Sequence, residues 1–294
     1  MLRFTVATLL AMAVSLPSAM AKEVNISGST SVARVMDVLA EEYNKTHPDN
    51  YIAVQGIGSS AGITMVNKGV VKLGMSSRYL TESEKGEDLN VFPIAYDGLA
   101  VVVNRTNSVT NLSAQQLFDI YKGEIKNWKE VGGADQPIAV VTREASSGSR
   151  YSFESLLGLT KVINDRLVSD ISPNNLVVNS NSMVKTIVNH NTRAIGFISV
   201  GSVDLSVKAI QFNGIEPTAA NIANHKYKLA RPFLVLYKVD SLDQAGKDFI
   251  AFLKSEVGQK PLLTTGTYRL KTLTSKNKKE SIEMLSFLLI RICF

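Results

Sequence analysis

The chain has one cysteine among its 294 residues, Cys293, the next-to-last position. Its body therefore has neither a disulfide framework nor thiol chemistry, and its stability must come from a packed core. Histidine is almost as scarce: His47, His190 and His225 are the three. They stand apart in polar, loop-like or helix-end contexts, so no His or Cys pair has metal-ligand spacing and no His has the surroundings of a general base. Ser147 lies in a Ser-Ser-Gly-Ser run, yet the Gly-x-Ser-x-Gly elbow is absent, which leaves a secreted serine hydrolase as a remote alternative. No Lys/Arg cluster is interleaved with aromatics, which disfavours nucleic acid. No apolar run comfortably reaches the ~20 residues of a bilayer span.

What remains is a globular composition, 45% hydrophobic and 20% charged. At roughly 100–200 residues per domain the length suggests two domains after processing. A net charge of +6 suits an anionic ligand without deciding which. The start reads as an export signal over residues 1–21: a basic Met1-Leu2-Arg3, an apolar stretch to Leu16, then Ala19 and Ala21 before an expected cleavage. An extracytoplasmic, periplasmic protein follows from it, and without a cysteine at that boundary it is not a lipoprotein. The other end, 263–294, is atypical. A basic stretch at 276–279 leads into an apolar run at 284–290 that is far too short to span a bilayer, and a frameshifted or mis-joined end is favoured over a docking tail.

Between these ends, short apolar β-type runs alternate with helical periodicity. Strands are expected at 25–27, 51–55, 91–94, 99–103, 137–141, 194–198 and 233–237. Helices are expected at 32–44, 63–68, 113–121, 151–157, 181–189 and 245–255. Val35, Met36, Leu39 and Tyr43 share one helical face, and Ser113 with Gln116 forms a capping box. Strand, small polar turn, helix, repeated, implies an α/β fold with a largely parallel sheet, in which ligands bind beyond the carboxyl ends of the strands. Trp128 and Tyr121 read as packing residues.

The polar turns carry the chemistry. Gly28-Ser29-Thr30-Ser31, Gly56-Ile57-Gly58-Ser59-Ser60, Ser76-Ser77 and Ser146-Ser147-Gly148-Ser149 share one composition. Glycine lets backbone N–H groups approach a ligand, helix N-termini offer unpaired donors and a positive dipole end, and hydroxyls add further donors. Together they make an anion site. Arg143 adds a planar fork matched to two oxygens of a tetrahedral oxyanion. Arg150, at a helix start, is placed to point elsewhere. Any one such turn is more often a plain cap; their recurrence beside an arginine is what points to binding.

Three segments resemble the phosphate-binding components of bacterial ABC transporters: Val54-Gln55-Gly56-Ile57-Gly58-Ser59-Ser60-Ala61-Gly62-Ile63, Leu73-Gly74-Met75-Ser76-Ser77, and Arg143-Glu144-Ala145-Ser146-Ser147-Gly148-Ser149. The resemblance spans roughly residues 24–258. It implies a two-lobed periplasmic binding protein of type II-like fold, with a mixed, mostly parallel sheet in each lobe and a hinge of two crossing segments near 99–104 and 196–198. Lobe I would comprise 22–100 with 204–262, and lobe II 101–203. It further implies a monomer that binds inorganic phosphate and hands it to a membrane permease, with no cofactor and no catalysis. By position, Thr30 and Ser31, Ser59, and Arg143 with Ser147, Gly148 and Ser149 match the family's ligand loops. Two departures stand out. Many members carry an Asp where this chain has Ser77; that carboxylate accepts the proton of hydrogen phosphate and repels sulfate. Asp97 is a candidate replacement acceptor, with a turn residue before Gly98 as the alternative. Many members also carry an acid at Ala145 that orients the arginine, a task open to Glu144. Sulfate or molybdate on the same fold is the second reading.

Overall fold

The computed structural model describes residues 22–164, 166–263 and 268–269. The expected export signal, the basic and apolar stretches of the tail and Cys293 lie outside them. The chain opens with β1 (Lys22–Gly28), α1 (Thr30–Thr46), β2 (Asn50–Gly56), α2 (Ser59–Asn67), β3 (Leu73–Ser76) and the long β4 (Leu89–Val103). Its middle holds β5 (Asn111–Leu112), α3 (Ala114–Lys122), β6 (Ala139–Arg143), α4 (Gly148–Leu157), the hairpin of β7 (Thr160–Ile163) and β8 (Arg166–Ser169), β9 (Leu176–Val178), α5 (Asn181–His190) and β10 (Ala194–Ser199). It closes with β11 (Lys208–Ala209), β12 (Gln211–Phe212), α6 (Ala219–Ala223), β13 (Ala230–Lys238), α7 (Gln244–Lys254), α8 (Glu256–Gln259) and β14 (Tyr268–Arg269).

The fold is α/β, built on one curled mixed sheet in the order β2-β1-β3-β13-β4-β10-β6-β9. Its outer pairs are parallel: β1 with β2 and β3, and β6 with β10 and β9. The centre is antiparallel, β13 lying between β3 and β4, and β4 against β10. Hence β1, β2 and β3 end on one side of a central cleft, and β6 and β9 deliver their carboxyl ends to it from the other side.

Two large cores flank that cleft. One gathers Val24, Ile26, Met36, Leu39, Tyr43, Phe233 and Phe249 under α1 and α7. The other gathers Leu117, Tyr121, Trp128, Phe153 and Phe197, in which the Phe153 and Phe197 rings stack at 4.0 Å. Each such side chain contributes about 1.5–3 kcal/mol by leaving water. Trp128 and Tyr121 are packing residues, as expected. The Trp128 ring N–H donates to Arg193 O at 2.9 Å and the Tyr121 hydroxyl donates to Val141 O at 3.1 Å, so neither polar tip is stranded. Strand β4 joins the two halves. Ile94 and Ala95 belong to the first core, while Leu99, Val101 and Val103 belong to the second. Ala100 and Val102, on the opposite face by strand alternation, pack against Val184 and Val188 of α5.

Three differences from the sequence expectation bear on the cleft. The two strands expected at 91–94 and 99–103 are one, and 95–98 is not a turn: β13 pairs along β4 from Lys238↔Leu89 to Ala230↔Gly98. Helices expected to begin at 32, 63 and 151 begin at Thr30, Ser59 and Gly148, so their small polar residues form first turns rather than loops. Lastly, the first half was expected to resume at 204, yet Ile210, Phe212, Ile222, Tyr227 and Leu229 pack in the second core. Packing in the first core resumes at Phe233.

Candidate functional site

The cleft is lined by the first turns of α1, α2, α4 and α5. Ser29 caps α1, accepting from the Val32 N–H at 3.3 Å. Ser147 caps α4, accepting from the Arg150 N–H at 3.2 Å. These caps fix the helix starts and leave Thr30, Ser31, Gly148 and Ser149 at the dipole ends. Ser59, the first residue of α2, follows Gly58, whose φ of 99° is open to glycine and unfavourable for L side chains. Ser77 follows β3 directly, and its N–H donates to Ser59 Oγ at 3.1 Å.

These pieces meet across the cleft. Ser31 Oγ lies 3.2 Å from Ser149 Oγ, and the Asn181 side-chain amide donates to Ser31 Oγ at 3.0 Å. Ser60 N–H donates to Ser146 O at 3.1 Å, and the Ser152 hydroxyl donates to Ser77 O at 3.2 Å. A Cβ on Gly148 would stand 2.3 Å from Ser59 Oγ and 2.7 Å from Ser77 Oγ, so only glycine admits this approach. Arg34, on α1, donates to Gly201 O at the rim.

Arg143 ends β6 with its side chain 1% exposed. Its Nε and Nη2 donate to the two oxygens of Glu144 at 2.9 and 3.0 Å, a bidentate clasp. Glu144 thus orients the arginine that Ala145 cannot. Nη2 also points at Thr30 Oγ1 at 3.2 Å and Asn179 O at 3.0 Å, and Nη1 donates to Asn181 Oδ1 at 3.3 Å, so the guanidinium spans the cleft. Arg150 points away, pairing with Glu154 at 2.6 Å.

Asp97 is fully buried in mid-strand, not in a turn. Its carboxylate is already engaged. Oδ1 accepts from the Ser199 hydroxyl at 2.8 Å, and Oδ2 accepts from Arg231 Nε and Nη2 at 3.1 and 3.0 Å. Burial pushes the Asp97 carboxyl up from its ordinary range, against the pull of Arg231, Ser199 and the Gly201 amide. Desolvation likewise draws Arg231 down, with Asp97 opposing and the nearby Arg143 adding to the fall.

Thr30, Ser31, Ser59, Ser77, Arg143, Gly148 and Ser149 therefore come together, with Ser147 just behind as a cap. Two participants escaped sequence reasoning. Arg231 precedes the apolar run expected as a strand at 233–237; a charged residue at the mouth of a strand reads as a boundary, and only its cross-strand partner Asp97 reveals it as central. Asn181 was placed at a helix start without a role; its position after β9 was the available signal.

The chain matches the family model of the PBP superfamily domain over residues 13–257. It is similar to the crystal structure of an ABC-type phosphate transport receptor from Vibrio cholerae, with 63% identity, 84% of this chain and 100% of that chain covered and a TM-score of 0.72. A putative phosphate ABC transporter substrate-binding protein from Clostridium perfringens, solved with bound phosphate, is 41% identical over 85% of this chain and 100% of that one, with a TM-score of 0.80. The phosphate-binding protein PstS of Borreliella burgdorferi is 31% identical over 85% of this chain and 91% of its own length.

Proposed function

The chain belongs to the PBP superfamily, within the family of PstS-like substrate-binding proteins, and on that footing we propose that it captures inorganic phosphate in the cleft and delivers it to the permease of an ABC importer. The protein acts outside the cytoplasm as a monomer, needs no cofactor and carries out no chemistry on its ligand. Among the described residues no helix is long and apolar enough to cross a membrane.

The observation that carries this reading is the convergence of Ser31, Ser59, Ser77, Ser149 and the Arg143 fork at the first turns of helices from both cores. Stripped of water, a tetrahedral dianion needs a dense shell of donors. Helix N-termini and hydroxyls supply them with little formal charge, and Arg143 adds a bidentate contact. Thr30, Ser31 and Ser59 serve from one side, and Arg143, Ser147, Gly148 and Ser149 from the other, so ligand and closure stabilise each other.

Ser77 Oγ lies among donors. It accepts from the Ser29 hydroxyl at 2.9 Å and from Arg231 Nη1 at 3.1 Å, which leaves it a proton to donate, with Ser59 Oγ at 3.4 Å as the taker that a ligand would replace. The hydrolase alternative gains nothing from the geometry. Ser147 serves as a helix cap, while His47 stacks on Tyr43 at 3.9 Å and His190 Nδ1 lies 2.8 Å from Thr186 O on its own helix.

Titration calorimetry with phosphate, sulfate and molybdate tests the assignment. Phosphate is expected to bind most tightly; sulfate binding as tight or tighter would overturn phosphate as the ligand.

A further inference from the structure

Beyond the loops that resemble known ligand-binding segments, the cleft holds Arg231, whose side chain is 1% exposed. It stands near the start of β13, directly across from Asp97 on β4. Its Nε and Nη2 are clasped by Asp97 Oδ2, and its other N–H groups fan toward the hydroxyls of three separate chain segments. Nη1 donates to Ser149 Oγ at 2.7 Å and to Ser77 Oγ at 3.1 Å, and Nη2 donates to Ser31 Oγ at 3.1 Å. These three hydroxyls come from both sides of the cleft. A guanidinium has five N–H groups and Asp97 takes two of them; the others are met mainly by hydroxyls that line the cleft, where a purely structural arginine could be met by backbone carbonyls.

We propose that Arg231 is a second arginine of the oxyanion site, which turns the hydroxyls of Ser31 and Ser77 into donors toward the bound anion, with Asp97 acting through it as a positioning residue. The proposal rests on the reading of the cleft as a phosphate site.

Hydrogen-bond accounting supports it. A serine oxygen has two lone pairs and one proton. Ser77 Oγ receives the Ser29 hydroxyl and Arg231 Nη1, and Ser31 Oγ receives the Asn181 amide and Arg231 Nη2. With both acceptor sites filled, each of these hydroxyls has only its proton to offer, which faces Ser149 Oγ at 3.2 Å from Ser31 and Ser59 Oγ at 3.4 Å from Ser77 until an anion draws it. Without Arg231 each could turn a lone pair toward the ligand and repel it. The guanidinium also places a full positive charge beneath the ring of hydroxyls, in a water-poor setting where screening is weak.

Asp97 cannot read the ligand's proton while so placed. Its oxygens accept from Arg231 twice, from Ser199 and from the Gly201 amide, and the guanidinium lies between it and the serines. Its task is to fix the plane and direction of the arginine fork. Removing its charge should then weaken phosphate and sulfate alike, whereas a proton-reading carboxylate would change their ratio.

The test uses three variants of the whole chain, each titrated with inorganic phosphate and with sulfate and melted without ligand. Arg231→Lys keeps the charge and loses the fork. The paired Arg231→Gln, Asp97→Asn removes both charges together and so avoids leaving one buried and unpaired. Asp97→Asn alone loosens the arginine. Arg231→Lys is expected to bind phosphate at least about ten-fold more weakly, and the paired variant more weakly still, by the usual strength of hydrogen bonds to charged groups. Asp97→Asn should weaken both anions by the same factor. Phosphate affinity within about two-fold of wild type in Arg231→Lys and in the paired variant would overturn the role of Arg231. A shift of about five-fold or more in the phosphate-to-sulfate ratio in Asp97→Asn would overturn its role as a positioner and make it a proton reader. Wild-type protein that binds no phosphate would instead sink the functional reading beneath both.

Discussion

Arg143 shows how a single residue is prepared for binding. A buried guanidinium without partners would cost several kcal/mol, and Glu144 offsets this with two parallel hydrogen bonds while leaving the outer edge free to reach Thr30 across the cleft. Truncation to alanine would remove the proposed charge-assisted contact with the ligand and strand Glu144. Arg143→Ala should lose about 2–5 kcal/mol of phosphate binding, measured by calorimetry; unchanged affinity would refute its role. Gly148 works by absence, since any Cβ would press on Ser59 and Ser77 at less than van der Waals distance. Gly148→Ala should weaken phosphate binding by about 1–3 kcal/mol, the usual range for overpacking. Its ligand-free melting temperature should stay near wild type, because the crowded atoms belong to opposite sides of the cleft.

At the scale of elements, the site is made of helix beginnings. Hydrophobic periodicity locates α1 by Val35, Met36, Leu39 and Tyr43, and α4 by Phe153, yet it begins each helix late. The residues that open these helices, Thr30-Ser31, Ser59-Ser60 and Gly148-Ser149, line the cleft, so their side chains are small and polar and carry no apolar period. Ser29 does two jobs, as cap of α1 and as donor to Ser77. Ser29→Ala should destabilise the fold by about 1 kcal/mol, seen as a melting temperature lower by about 2–4 °C. It should also loosen phosphate binding, because Ser77 regains a free lone pair. Strand β4 was misread for a related reason. Tyr96-Asp97-Gly98 looks like a turn by composition, but a polar residue can lie within a buried strand when an opposite charge stands directly across, as Arg231 does.

For the whole molecule, stability depends on pH through carboxylates of both signs of shift. Hydrogen bonds from Lys122 and Lys161 hold Asp170 low, those from Lys185 and Ser206 hold Asp204 low, and that from Lys72 holds Asp243 low. The folded state binds their protons less readily than the unfolded chain. Their contribution is present above the ordinary value of 3.8 and is lost as the pH falls below it toward the folded values. Asp97 runs the other way: burial raises it, so its ionisation costs stability as the pH rises past the same value. Asp204 and Asp243 are exposed, so the contribution of each is small and screened by salt, while Asp170 is half-buried. As the pH falls from about 5 to about 2 the melting temperature should fall, and Asp204→Asn should flatten part of that fall. An unaltered slope in melts across that range would show that the Lys185 pair contributes nothing.

The sequence alone determined the α/β class, the packing of Trp128 and Tyr121, and the small polar loops that meet at the cleft beside Arg143. Each of these leaves a local trace: a period, a small polar turn before a helix, an arginine beside serines. The tertiary structure decided what depends on partners far apart in the chain. It made one strand of residues 89–103, placed residues 210–229 in the second core, assigned Glu144 to orient Arg143, and set Arg231 against Asp97 beneath the hydroxyls. Arg231 and Asp97 are 134 positions apart, and a buried charge is tolerable only beside its partner. No local pattern encodes that adjacency; it exists only once β13 has paired with β4.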